Sequence, residues 1–95
     1  MNKYESIIIV SPNVDEVGLK ALEEKFTGLI NEHGKVETVE NMGKRKLAYD
    51  IKKFKEATYV LFNFEAEPEL ITELERVYRI TDDVIKFITV RKEEK

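Results

Sequence analysis

Apolar positions along this chain alternate between a two-residue and a three-to-four-residue spacing, and each change marks a new element. Residues 4–10 read as a strand with isoleucines on both parities, Ile7 and Ile9 against Ile8 and Val10. Two apolar faces suit a strand in the middle of a sheet. Ser11-Pro12-Asn13 ends it, and either Asn13 or Asp15 can cap the helix that follows by accepting hydrogen bonds from its free first-turn amides. Leu19, Leu22, Phe26, Leu29 and Ile30 then recur at helical spacing, with Lys20, Glu23 and Glu24 largely opposite. Gly34 is the expected stop, because glycine enters a left-handed cap without steric cost.

From Lys35 the period returns to two, with Val36, Thr38 and Glu40 set against Glu37 and Val39. Asn41-Met42-Gly43 interrupts this second strand, and the glycine there marks a bulge or bend. The strand resumes through Leu47 and Tyr49 to Ile51, and Lys52-Lys53-Phe54-Lys55-Glu56 reads as a polar connection. A third strand covers residues 58–65, and Glu67-Pro68-Glu69 opens a second helix with proline in the first turn and carboxylates at the positive end of the dipole. Leu70, Ile71, Leu74, Val77 and Tyr78 form its apolar stripe. Thr81-Asp82-Asp83 closes that helix, residues 84–90 form a fourth strand, and the charged tail Arg91-Lys92-Glu93-Glu94-Lys95 is expected to fray.

The order βαββαβ predicts an α+β, ferredoxin-like sandwich: a four-stranded antiparallel sheet with two helices on one face, a single domain over residues 1–95. Ile7 and Ile9, Val60, Phe62 and Phe64, and Ile85 and Phe87 all lie on parities opposed by further apolar residues. Whichever parity meets the helices, the open face keeps aliphatic and aromatic surface, the mark of a partner site. At least one of Phe62 and Phe64 is expected there.

Composition narrows the chemistry. The chain has no cysteine, which removes disulfides, thiolate metal sites and cysteine nucleophiles. No apolar run approaches the roughly 20 residues needed to span a bilayer, and residues 7–10 are too short for a signal peptide, so a cytoplasmic location is expected. The net charge of −3 argues at face value against a nucleic-acid partner. Its distribution argues the other way. Residues 35–55 hold seven cations and three anions, so the acidity lies elsewhere. Lysines that protect a strand edge would give the same pattern.

Catalytic constellations are missing. Acylphosphatase-like enzymes, which share this topology, cradle phosphate in a glycine-rich loop with an arginine after the first strand; Ser11-Pro12-Asn13-Val14-Asp15 stands there instead. His33 is the sole histidine, and Asp82-Asp83 reads as a turn. RNA recognition motif domains, with the same element order, stack bases on aromatics of their central strands. Tyr59-Val60-Leu61-Phe62 echoes the end of their signature, but Glu56-Ala57-Thr58 replaces its Gly-aromatic-Gly and the first strand offers Ile8 and Ile9. An RNA recognition motif-like single-strand binder stays open as the alternative reading, with an acylphosphatase-like enzyme behind it.

One stretch is more distinctive. Gly43-Lys44-Arg45-Lys46-Leu47-Ala48-Tyr49-Asp50-Ile51 sets three consecutive cations between a glycine and an aromatic-anchored strand. Tyr4-Glu5, Ser11-Pro12-Asn13 and Arg79-Ile80-Thr81-Asp82-Asp83-Val84-Ile85-Lys86 accompany it in order. With these motifs, over nearly its whole length, the chain resembles the bacterial small-subunit ribosomal protein six family, whose Gly-Lys-Arg-Arg-Leu-Ala-Tyr-x-Ile pattern lies on the long second strand. Met42, Asp50 and Glu56-Ala57-Thr58 depart from that family's usual tryptophan, proline and Gly-Tyr.

The resemblance implies a structural constituent of the small (30S) ribosomal subunit, without catalytic role or cofactor. It implies binding to the central domain of 16S ribosomal RNA together with small-subunit ribosomal protein eighteen. Lys44, Arg45 and Lys46 match the family's basic run and are the leading phosphate contacts, although alternation sends Arg45 to the face opposite Lys44 and Lys46. Lys3, Tyr4, Lys86 and Arg91 are second candidates for RNA contact, and Phe62 and Phe64 are the candidates for the protein partner.

Overall fold

A computed structural model describes residues 1–92 of the chain. Its elements are β1 (Asn2–Val10), α1 (Glu16–His33), β2 (Gly34–Ile51), β3 (Phe54–Ala66), α2 (Pro68–Ile80) and β4 (Val84–Lys92). The strands form one antiparallel sheet in the order β2-β3-β1-β4. The expected ferredoxin-like α+β sandwich is what forms.

Local chemistry accounts for the boundaries. Asp15 rather than Asn13 caps α1, its Oδ1 accepting the Gly18 N–H at 2.8 Å. Asn13 N–H instead donates to Ser11 Oγ at 3.2 Å and tightens the β1–α1 turn. Pro68 starts α2, where a missing N–H costs nothing. Gly34 ends α1 for a different reason from the one expected. Its backbone is extended (φ −168°), not left-handed. A Cβ there would lie 2.2 Å from the Glu65 carbonyl oxygen, so glycine is needed for the close approach of β2 to β3.

Strand bounds also differ from the sequence expectation, with β1 beginning at Asn2 and β2 at Gly34. Phe54, Lys55 and Glu56 belong to β3 and leave only Lys52 and Lys53 to turn the hairpin, with φ of 50° and 71°. That pair of left-handed residues gives the tight turn that matches strand twist, here made without Asn or Gly. Arg91 and Lys92 extend β4 instead of fraying, because β1 continues opposite them to Lys3. Residues 93–95 of the expected tail lie outside the described residues.

Both helices cover one face of the sheet. Between them and the strands lie Ile8, Val10, Phe26, Ile30, Val60, Phe62, Phe64, Leu74 and Tyr78, all fully buried. Side chains of this size each contribute about 1.5–3 kcal/mol on burial. Aromatic rings run through the layer: Tyr4 stacks on Phe64 at 5.7 Å, and Phe26 meets Tyr78 edge-on at 4.8 Å. One polar residue, Ser6, lies fully buried on this same face. Its hydroxyl sits 2.9 Å from the Tyr78 hydroxyl and 3.0 Å from the Thr89 hydroxyl, which removes the penalty of an unpaired buried group. Burial raises the Tyr78 phenol well above the ordinary tyrosine range, with the Ser6 hydrogen bond opposing in part.

Candidate nucleic-acid interface

The β2–β3 hairpin carries the cations. Its ladder breaks register at Val36/Thr38, Asn41/Gly43 and Lys46/Ile51, so a regular run of pairs, Gly43↔Tyr59 to Lys46↔Glu56, is bounded by irregularities on both sides. At the first boundary Gly43 has φ 82° and its N–H donates to Asn41 Oδ1 at 2.8 Å, the bulge expected from Asn41-Met42-Gly43. At the second, residues 47–50 oppose Lys55 alone and bow out of the ladder.

Within the regular run, alternation holds. Lys44 pairs with Thr58, which pairs in turn with Val10 on the helix-covered face. Arg45 pairs with Ala57, which belongs to a small apolar cluster with Ile9 and Ile85 on the other face. Lys44, Arg45 and Lys46 are all exposed, but they leave the ribbon on two sides. Lys44 Nζ lies 3.9 Å from Glu56 Oε1, both side chains about half exposed, a contact worth little in water. From Lys44 to Glu56 the hairpin carries six cations against two anions, Asp50 and Glu56. Such a ribbon presents positive charge on both faces and at its tip.

The open face of the sheet divides into two halves. At one end charges neutralise one another: Lys3 Nζ is 3.9 Å from Glu65, Lys92 Nζ is 3.7 Å from Glu5, and Lys92 also donates to Asn63. At the other end, toward the hairpin tip, lie Ile7, Ile9, Leu47, Tyr49, Tyr59 and Ile88, lining a groove of about 240 Å³. The bowed segment 47–50 folds over this groove. Tyr49, 64% exposed, holds its hydroxyl 3.1 Å from Lys86 Nζ, and the same ammonium lies 5.6 Å from the centre of the Tyr49 ring. Leu61 stands beside Ile7, and Ile88 and Val90 on β4 remain 48% and 50% exposed. The expected apolar open face therefore exists.

Its members are not the ones expected. Phe62 and Phe64 are both fully buried under the helices, paired with Ser6 and Tyr4 on the covered parity. They fill the core and cannot meet a partner; Tyr59 and Leu61, on the intervening parity, stand on the open face instead. Tyr4 fails as an RNA contact for the same reason, being 7% exposed with its ring against Phe64. Lys86 meets the bowed segment of the hairpin through Tyr49. Lys3 and Arg91 lie at the opposite end of the sheet, roughly 16 Å away along the strands at about 3.3 Å per residue. Lys44, Arg45 and Lys46 stand together on β2 at one edge of the sheet, Lys86 stands on β4 at the other edge, and Lys3 and Arg91 lie at the far end of the strands. Tyr49 and Leu47 were legible only as strand residues, because nothing in their alternation announces a four-residue bulge. Among the described residues, no group of three His, Asp or Glu side chains converges as a metal site requires, and no helix is long and apolar enough to cross a membrane.

Comparison with known proteins agrees with this geometry. The profile of the Ribosomal protein S6 family matches residues 3–91. A small ribosomal subunit protein bS6 from Clostridium kluyveri is 53% identical over 95 residues, covering 99% of this chain and 100% of the relative. Its counterpart from Heliobacterium modesticaldum is 47% identical, covering 99% of both. The crystal structure of 30S ribosomal protein S6 from Thermotoga maritima superposes with a TM-score of 0.91 at 41% identity, over 96% of this chain and 87% of that one. An Arabidopsis thaliana protein with a TM-score of 0.58 at 13% identity shares the fold alone.

Proposed function

The chain belongs to the ribosomal protein S6 family and is a protein of the small ribosomal subunit, and we propose that it serves there as a structural, non-catalytic component that joins ribosomal RNA to a second protein. In this reading the RNA is the central domain of 16S ribosomal RNA, met by the β2–β3 hairpin. The protein is small-subunit ribosomal protein eighteen, met by the apolar half of the open sheet face. Its place of work is the cytoplasm, on the ribosome.

The observation that carries the reading is the presence of two unlike surfaces side by side. Six cations cluster on one hairpin of a chain whose net charge is −3. Beside them lies a face with Tyr49, Ile88 and Val90 exposed. Phosphate attracts the first and gains nothing from the second; an apolar protein surface does the reverse. Because Lys44 and Lys46 leave the ribbon on one side and Arg45 on the other, the hairpin reaches phosphates of two strands or of one strand that bends around it. Lys86, held by Tyr49 of the bowed segment, adds a cation on the open face. Lys3 and Arg91 take part only where the RNA extends to the far end of the sheet, and the Lys3–Glu65 and Lys92–Glu5 pairs weaken the positive field there.

Capture of the tagged protein from cell lysate, with and without ribonuclease, tests this. Small-subunit RNA should co-purify before digestion, and protein eighteen should stay bound after it. Loss of that protein on digestion would assign its contact to RNA and remove the open face from the account. Recovery of neither would leave the family membership as ancestry only.

A further inference from the structure

The sheet has two edges, β2 and β4, and they differ in how they offer their unpaired backbone groups. β2 breaks register three times, which twists it and interrupts any run that a new strand could follow. β4 stays in register with β1 from Lys92 to Lys86 without a break. Its central residues Phe87, Ile88, Thr89 and Val90 include no charge, glycine or proline. Among the described residues, the one backbone hydrogen bond that β4 makes outside the β1 ladder is the turn bond from Val84 N–H to the Thr81 carbonyl. An edge in unbroken register, with no charge between Lys86 and Arg91, is the form to which an extended peptide adds as another strand.

We infer that an extended segment of the protein partner pairs with the outer edge of β4 over residues 86–91 as a fifth strand, while the body of that partner covers the adjoining Ile7, Leu61 and Ile88. The inference rests on the reading of the open face as a protein-docking surface and specifies how the partner holds it. Edge and face are continuous, since Ile88 and Val90 belong to both. The segment that fits has apolar side chains at alternate positions, to lie beside Ile88 and Val90, and an acidic residue at the end beside Arg91 and Lys92. A second copy of this chain pairing through β4 would widen the sheet and leave both apolar faces bare. RNA finds no cation between Lys86 and Arg91 and gains little from the four apolar and hydroxyl side chains there.

Amide hydrogen exchange of the wild-type protein decides the matter, measured alone at two concentrations, with small-subunit ribosomal protein eighteen, and with the central-domain RNA fragment. Strand addition slows the amides of residues 86–91 that lie outside the β1 ladder, every second one, by about tenfold or more with the protein, and leaves β2 amides little changed. A complex in which these amides exchange as in the free protein, or in which β4 slows without alternation, overturns the fifth strand and leaves the docking surface intact. Absence of any complex overturns both. Slowing by RNA alone assigns the edge to RNA, and slowing that grows with the concentration of this protein alone assigns it to a second copy; either result overturns the inference.

Discussion

Leu61 and Phe62 are neighbours in sequence and opposites in consequence, which makes them a sharp test of the account. Phe62 is fully buried, edge-on to Phe26 at 6.3 Å, beneath both helices. Phe62→Ala removes most of that ring from a packed layer and leaves a cavity, at a cost of about 3–5 kcal/mol. A domain of this size holds about 5–15 kcal/mol in total. The midpoint of thermal unfolding should fall by about 12 °C or more, at roughly 4–8 °C per kcal/mol for 60–100 residues. Leu61→Lys changes a half-buried side chain on the open face, between Ile7 on β1 and Glu40 on β2. The new ammonium stands opposite a carboxylate, so stability should change by about 1 kcal/mol or less. Partner binding should respond in the reverse order: lost in the stable Leu61→Lys protein, retained in whatever fraction of Phe62→Ala remains folded. Urea unfolding with a constant slope gives the first quantity, and titration calorimetry with protein eighteen gives the second. A Phe62→Ala protein less than 1 kcal/mol weaker than wild type, or undiminished binding by Leu61→Lys, would refute the assignment of the two faces.

The buried hydroxyl chain carries a pH signature. Tyr78→Phe should cost about 1 kcal/mol at neutral pH, since Ser6 keeps Thr89 as a partner. Burial raises the Tyr78 pKa in the folded state, so its contribution is complete below the unfolded value near 10 and is lost as pH climbs past it; the gap between wild type and variant in urea midpoints should narrow at alkaline pH, and a constant gap would show that the phenol ionises equally in both states. Lys52→Asn with Lys53→Gly replaces two left-handed lysines by the residues that favour such a turn, and should stabilise the hairpin by about 1–2 kcal/mol; an unchanged midpoint would mean the turn is not of that form. Gly34→Ala sets a methyl 2.2 Å from the Glu65 carbonyl oxygen and should cost more than about 2 kcal/mol, whereas a neutral result would deny the close approach of the strands.

The element order was legible in the pattern of apolar residues, because every strand and helix carries its own period and its own stop signals. The parity of the sheet was not, and Ser6 explains why. Tyr4, Ser6, Ile8 and Val10 form the covered face of β1, yet a polar residue in that set makes Ile7 and Ile9 look equally suited to the core. The Tyr78 and Thr89 hydroxyls, arriving from 72 and 83 residues away, make Ser6 acceptable there. The same long-range registration decides that Phe62 and Phe64 go inward and Leu61 outward. Gly34 was recognisable as a stop, but the close neighbour that demands glycine belongs to β3 and is invisible in local sequence. The basic run 44–46 was legible because charge needs no register to be seen, and its division between two faces followed from simple alternation. The bow of residues 47–50 over the groove was hidden, since it depends on how many residues β3 offers opposite.

The central claim is that the hairpin cations hold phosphate. The measurement that meets it most directly is the salt dependence of binding to the central-domain RNA fragment in the presence of protein eighteen, for wild type and for Lys44→Ala, Arg45→Ala and Lys46→Ala combined. Each lost phosphate contact lowers the slope of log affinity against log salt by about 0.7–0.9. The triple variant should therefore bind more weakly, with a slope shallower by roughly 2–3 and an unchanged unfolding midpoint. Equal affinity and equal slope in a folded triple variant would contradict the claim and move the RNA to another surface of the molecule.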